Sequence, residues 1–64
     1  MTDIELIDSA TVEEMVSVSR RTVDRMEVAG TFPRRIRIGY STVRWVRSEV
    51  EEWLKDQVAA RDAG

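Results

Sequence analysis

The chain has 64 residues and a net charge of −2, which is enough for one small domain with a modest core. The absence of cysteine and histidine excludes disulfides and thiolate metal sites, and it removes the commonest general base. Hydrophobic residues make up 42% of the chain and charged residues 34%, a balance typical of a folded domain. With no run of roughly 20 apolar residues and no secretory signal, we expect a cytoplasmic protein that does not enter a membrane.

Charge is divided into three blocks along the chain. Residues 1–18 carry five acids and no base (net −5), and residues 48–64 carry five acids against two bases (net −3). Residues 19–47 carry eight arginines against two acids (net +6). A basic centre between acidic ends indicates a polyanionic partner, and arginine suits both phosphate and guanine edges. The alternative is a solvated surface with scattered ion pairs.

Two helices are predicted in the first half, after a weakly structured stretch over Thr2–Ile7. The sequence from Thr11 to Glu14 matches a capping box, and apolar spacing beyond it predicts a helix over about 11–16. Ser19 is a good N-cap for a second helix over about 20–29, and Gly30 suits its C-terminal end.

A change of period then predicts a two-stranded hairpin. Alternation over 35–38 predicts that Ile36 and Ile38 face inward and the neighbouring arginines outward. Alternation over 42–45 predicts that Val43 and Trp45 face inward. Residues 39–41 form the predicted turn. Ser48 begins a second capping box and a third helix over about 49–60, followed by a frayed tail from residue 59. The predicted core consists of Met15, Val23, Met26, Ile36, Ile38, Trp45, Trp53 and Leu54.

This order of elements predicts a mainly helical fold with a small β-hairpin, a winged helix-turn-helix, as a single domain over 1–64 with an ordered core over about 5–58. The second helix would be the recognition helix, because it carries arginines and no acid at an N-terminus that already attracts phosphate. Its predicted DNA contacts are Ser19, Arg20, Arg21, Thr22, Asp24 and Arg25. The predicted wing contacts are Arg34, Arg35, Arg37, Tyr40, Ser41, Thr42 and Arg44.

Structural roles compete with DNA contact at several of these positions. Ser19 is an N-cap first, Thr22 is a candidate for partial burial, and Asp24 is better suited to orient an arginine than to read a base. The wing arginines, which we place on one outward face, also suit the protection of an exposed sheet edge. Acids at the start of the third helix fit the helix dipole, so no metal or other cofactor is expected.

Three segments together resemble the AlpA-type phage regulators and the related small excisionases, which are winged-helix proteins akin to the DNA-binding domain of MerR regulators. They are residues 18–26 (VSRRTVDRM), 30–39 (GTFPRRIRIG) and 43–54 (VRWVRSEVEEWL). Two positions depart from that family: Ser17 stands where glycine is usual, and Asp24 where an aromatic residue is frequent. The second departure predicts a different base preference or the loss of a phosphate contact.

The resemblance implies DNA binding without catalytic activity, and the chain shows no nucleophile–base pair that would suggest an enzyme. Members of this family regulate genes of mobile elements or act as recombination directionality factors. The latter bend DNA and steer an integrase, a tyrosine or serine recombinase, toward excision. We favour the excisionase because the sequence shows no effector domain for a small molecule and no coiled coil. One module buries only about 600–1,000 Å² on DNA, so we expect cooperative head-to-tail copies on direct repeats. Transcriptional regulation is the alternative, and a protein-interaction module that does not bind DNA is a second one.

Overall fold

The computed structural model describes residues 3–63, which contain three helices and three short strands. The helices are α1 (Ser9–Val16), α2 (Arg20–Val28) and α3 (Arg47–Ala63). The strands are β1 (Leu6–Ile7), β2 (Ile36–Ile38) and β3 (Thr42–Val46), and they form an antiparallel sheet in the order β1-β3-β2. The predicted winged helix-turn-helix, mainly helical with a small hairpin, is confirmed.

Strand β1 was not predicted. Leu6 and Ile7 pair with Val46 and Trp45 of β3, although the sequence indicated a weakly structured opening stretch. Two residues are too few to show an alternating pattern, and this strand exists only through its pairing with a distant segment. The expected stretch began at Thr2, which lies outside the described residues.

Both predicted capping boxes are wrong. The N-cap of α1 is Asp8, whose carboxylate accepts a hydrogen bond from the Thr11 backbone N–H at 2.9 Å, so Thr11 lies within the helix. Helix α3 begins at Arg47, so Ser48 is also already helical. The Arg47 N–H donates to the Glu5 carbonyl at 2.9 Å, so a neighbouring segment satisfies this free donor of α3.

The ends of α2 agree with the prediction. Ser19 is its N-cap, and the Ser19 hydroxyl accepts a hydrogen bond from the Thr22 N–H at 3.3 Å. After α2, Gly30 has φ of 78°, and hydrogen bonds from Gly30 to Glu27 and from Thr31 to Met26 form a Schellman motif. The turn between α1 and α2 contains Ser17 in the left-handed region, with φ of 57°.

The core lies between the three helices and the inner face of the sheet. Its buried side chains are Ile7, Val12, Val23, Phe32, Trp45 and Val50. Among the predicted core residues, Val23 and Trp45 are fully buried, Leu54 is half-buried, and Met15, Met26 and Trp53 pack around the buried cluster. The Trp53 indole N–H also donates to the Thr31 carbonyl at 2.6 Å, which holds α3 against the loop after α2.

Ile36 and Ile38 are not core residues, contrary to the prediction. The three-residue turn pairs Ile36 with Arg44 and Ile38 with Thr42. Directly paired residues of antiparallel strands point to the same side, so both isoleucines lie on the face opposite Val43 and Trp45. They are 38% and 42% exposed.

Helix α3 is longer than expected. It continues through Ala63, so the predicted frayed tail is helical over the residues described, and Gly64 lies outside them. No helix within residues 3–63 has both the length and the apolar character needed to cross a bilayer.

Candidate nucleic-acid interface

Helix α2 presents its arginines to solvent on the side away from the core. Val23 is 1% exposed and marks the inner face. At about 100° per residue, Arg21 and Arg25 fall close to the opposite side of the helix, and both are exposed. Arg20 is also exposed in the first turn, which contains no acid. The N-terminal half of α2 therefore combines free backbone donors, a helix dipole and arginines on one accessible surface.

The two acids of α2 are held by an arginine from the wing. Arg35 bonds Asp24 through Nη2, and it bonds Glu27 Oε1 through Nη2 at 2.6 Å and Nε at 2.9 Å. Its backbone N–H donates to Glu27 Oε2 at 3.1 Å. The guanidinium carbon lies 4.8 Å from the ring centroid of Trp45. Hydrogen bonds to Glu27 and then Asp24 raise the pKa of Arg35 above its ordinary value.

The predicted outward orientation of Arg35 is therefore wrong. It precedes β2 on the same side as Val43 and Trp45, because the register that turns Ile36 outward turns Arg35 inward. The guanidinium joins the recognition helix to the wing and is occupied by protein partners. Asp24 does orient an arginine, and that arginine comes from the wing.

Pairing with Arg35 also decides the charge of the α2 surface. Asp24 and Glu27 are the acids of this helix, and both are bonded to Arg35. The single charge of Arg35 balances one of these two carboxylates, on the side facing the wing. Together with Arg35, the three arginines of α2 outnumber its two acids by four to two, and this net charge of +2 favours an anionic partner.

The remaining wing residues do not share one face, contrary to the prediction. Arg37 pairs with Val43 and lies on the inner side of the hairpin, whereas Arg44 pairs with Ile36 on the outer side. Arg37 is exposed, and Arg44 is half-buried with its Nη1 donating to the Val43 carbonyl at 2.7 Å. Alternation within each strand could not reveal this arrangement, because it depends on the register between strands.

The tip and base of the wing carry the other predicted contacts. Tyr40 is 96% exposed at the turn, and Ser41 and Thr42 beside it are exposed. Arg34 is exposed and lines a shallow pocket together with Glu27 and Val28 of α2. The structure therefore brings Arg34 next to α2. Arg34 stays outside the Arg35 cluster, which consists of Arg35 and its partners Asp24, Glu27 and Trp45.

One exposed residue of α2 was missed as a functional candidate. Val28 is 91% exposed, three residues after Arg25 and seven after Arg21. That spacing places Val28 on the same side of the helix as both arginines, so the sequence alone could have predicted this arrangement. Among residues 3–63, no group of three or more acidic side chains is arranged to hold a metal ion.

A helix-turn-helix whose second helix is basic, followed by a hairpin attached to that helix, defines the winged helix-turn-helix class. The family model described as "Prophage CP4-57 regulatory protein (AlpA)" matches residues 5–58. The chain therefore belongs to the AlpA family of phage regulatory proteins, as the sequence resemblance indicated. The uncharacterized protein ORF88 of Enterobacteria phage P4 is 32% identical over 53 residues, which are 83% of this chain and 60% of that protein. The chain thus spans about 60% of the length of this curated relative.

Proposed function

We propose that the protein binds specific sites in double-stranded DNA, with α2 in the major groove and the wing against the backbone or the minor groove. The observation that carries the proposal is the surface of α2, where three arginines are exposed while both acids are bonded to Arg35. Family membership supports it, since the matching description is of a phage regulatory protein.

Within this complex the residues have different tasks. The N-terminus of α2, with Ser19, Thr22 and Arg20, is suited to hold a phosphate. Arg21 and Arg25 lie further along the exposed face, where a forked guanidinium can read the O6 and N7 atoms of guanine. The wing supplies contacts to the DNA backbone from its exposed polar residues, which are Arg34, Arg37, Tyr40, Ser41 and Thr42. Arg44 is half-buried, so its contact would require release of the Val43 carbonyl.

The finer role that we propose is that of a recombination directionality factor without catalytic activity. Several copies would bind adjacent direct repeats head to tail, bend the DNA and direct an integrase toward excision. Charge supports such an arrangement, because Glu49, Glu52 and Asp56 are exposed on α3 and would complement the basic face of a neighbouring copy. These acids line a depression that Arg34 and Arg35 of the same copy also line. The small footprint of one module on DNA also favours several copies.

Transcriptional regulation of phage or mobile-element genes is supported equally by the family description. The two roles require the same DNA-binding surface and differ in where the sites lie and what the bound complex does. A site beside a promoter would favour regulation, and a site beside a recombinase attachment site would favour excision.

Selection of bound fragments from the source genome at physiological salt, followed by sequencing, tests the proposal. Tandem direct repeats beside an attachment site would support the excision role, and their number would give the number of copies. A motif confined to promoters would support regulation. Absence of any enriched fragment would refute DNA binding and favour a protein-interaction module. A stable dimer without DNA in analytical ultracentrifugation would contradict the head-to-tail assembly.

A further inference from the structure

The most exposed aliphatic side chain of the recognition helix has no structural task. Val28 is 91% exposed, whereas Val23 on the same helix is 1% exposed and belongs to the core. Valine is also a weaker helix former than alanine, so helix stability does not explain its presence. Its surroundings therefore matter more than its contribution to the fold.

Those surroundings are the predicted base-reading arginines. Arg21, Arg25 and Val28 fall within about 60° of one another around α2, on the side opposite Val23. Together with Asp24 and Ala29 they line a shallow depression. From Arg21 to Val28 the helix rises about 10 Å. That distance corresponds to roughly three base pairs of DNA at 3.4 Å each.

We propose that Val28 contacts the C5 methyl group of a thymine in the major groove and so selects a T·A pair next to the bases read by Arg21 and Arg25. The inference rests on the proposed DNA binding. Thymine is the base that presents a methyl group in the major groove, and apolar side chains recognise it there. The contact removes the valine methyls and the thymine methyl from water together, and this burial favours thymine over the other bases at the contacted position.

Charge favours DNA over an apolar protein partner at this surface. Arg21 and Arg25 are exposed beside Val28, and Asp24 is bonded to Arg35. A partner that covered Val28 with apolar groups would have to bury or displace two arginines without supplying acids for them. A DNA major groove provides phosphates, guanine acceptors and thymine methyls within the same few base pairs.

The test uses the DNA fragment obtained by genomic selection, synthesised with deoxyuridine in place of each thymine in turn. Deoxyuridine keeps every hydrogen-bonding group and removes only the methyl. Wild-type protein, Val28→Ala and the control Val58→Ala are compared by fluorescence anisotropy. Val58 is an exposed valine on α3, so its replacement makes the same chemical change elsewhere. Val28→Ala should remain folded, because the side chain is exposed and alanine favours helix.

Wild-type protein and Val58→Ala should lose about fourfold in affinity when deoxyuridine replaces one particular thymine, the effect of one buried methyl. Val28→Ala should bind the thymine fragment more weakly and be indifferent to that replacement. Equal binding to every deoxyuridine fragment by wild-type protein, or the same loss in Val28→Ala, would overturn the inference and leave DNA binding intact. A selection that yields no bound fragment would refute the proposed function and this inference with it.

Discussion

Replacing Arg35 with methionine tests whether the recognition helix and the wing are joined as described. The methionine side chain preserves much of the apolar volume over Trp45 but removes the cation that bonds Asp24 and Glu27. Glu27 is the more sensitive partner, because its side chain is 12% exposed and would be left without its guanidinium. Asp24 is 45% exposed and can return to water.

The cost follows from these exposures. Glu27 keeps the backbone N–H of residue 35 as a donor, and the loss of its cation costs about 1.5–3 kcal/mol. Loss of the exposed pair with Asp24 adds less than about 1 kcal/mol, because solvent screens it. Loss of the cation–π contact adds about 0.5–1 kcal/mol. These contributions overlap, so we expect Arg35→Met to lower the free energy of unfolding by about 2–3 kcal/mol. In a domain of this size, that lowers Tm by about 10–20 °C.

Thermal unfolding followed by circular dichroism at neutral pH measures this effect. Arg34→Met is the matched control, because it removes the same charge from an exposed neighbour, and its Tm should change little. Adding Glu27→Gln to Arg35→Met should recover part of the loss, since an uncharged amide costs less to leave half-buried. If Arg35→Met and Arg34→Met unfold at the same temperature, the Arg35 cluster does not hold the wing to α2.

Two further predictions concern the helix-turn-helix. Ser17→Gly should raise the free energy of unfolding by about 0.5–1 kcal/mol, because Ser17 has φ of 57° and glycine adopts that region without strain. Ser17→Ala should give no gain in urea unfolding, and an equal gain would contradict the reasoning. Hydrogen bonds from Thr11 lower the pKa of Asp8 below its ordinary 3.8, so its stabilising effect is complete above pH 3.8 and is lost as the pH falls through the lower folded pKa. Asp8→Asn keeps the N-cap, and its Tm should depend less on pH in that acidic range than the Tm of the wild type.

The sequence predicted most of the helical part of the fold, and local chemistry explains why. Ser19 and Gly30 act on their own neighbours through a cap and a turn, so their roles can be recognised without tertiary information. The cap of α1 was misplaced because Thr11 and Asp8 are both suitable residues, and only the position where the helix begins distinguishes them.

The sheet was predicted less well, because its details depend on pairing between distant segments. Alternation in 35–38 correctly indicated a strand but not which side faces inward, since the turn length sets the register with β3. As a result, the predicted outward orientation of Arg35 is wrong, because this residue lies inward against Trp45 and bonds α2. The arginines of α2 were easier to place, because Val23 marks the buried side of that helix.

The most direct test of DNA binding through Arg21 and Arg25 of α2 measures the affinity of the protein for DNA over a range of salt concentrations. The selected fragment is titrated with wild-type protein, with the double variant Arg21→Ala and Arg25→Ala, and with Arg61→Ala, which removes an exposed arginine from α3. With about five phosphate contacts, log K for wild type should fall against log salt with a slope near −4.5. The double variant should bind at least about tenfold more weakly, whereas Arg61→Ala should bind like wild type. Equal affinity and equal slope for all three proteins would contradict the assignment of α2 as the recognition helix.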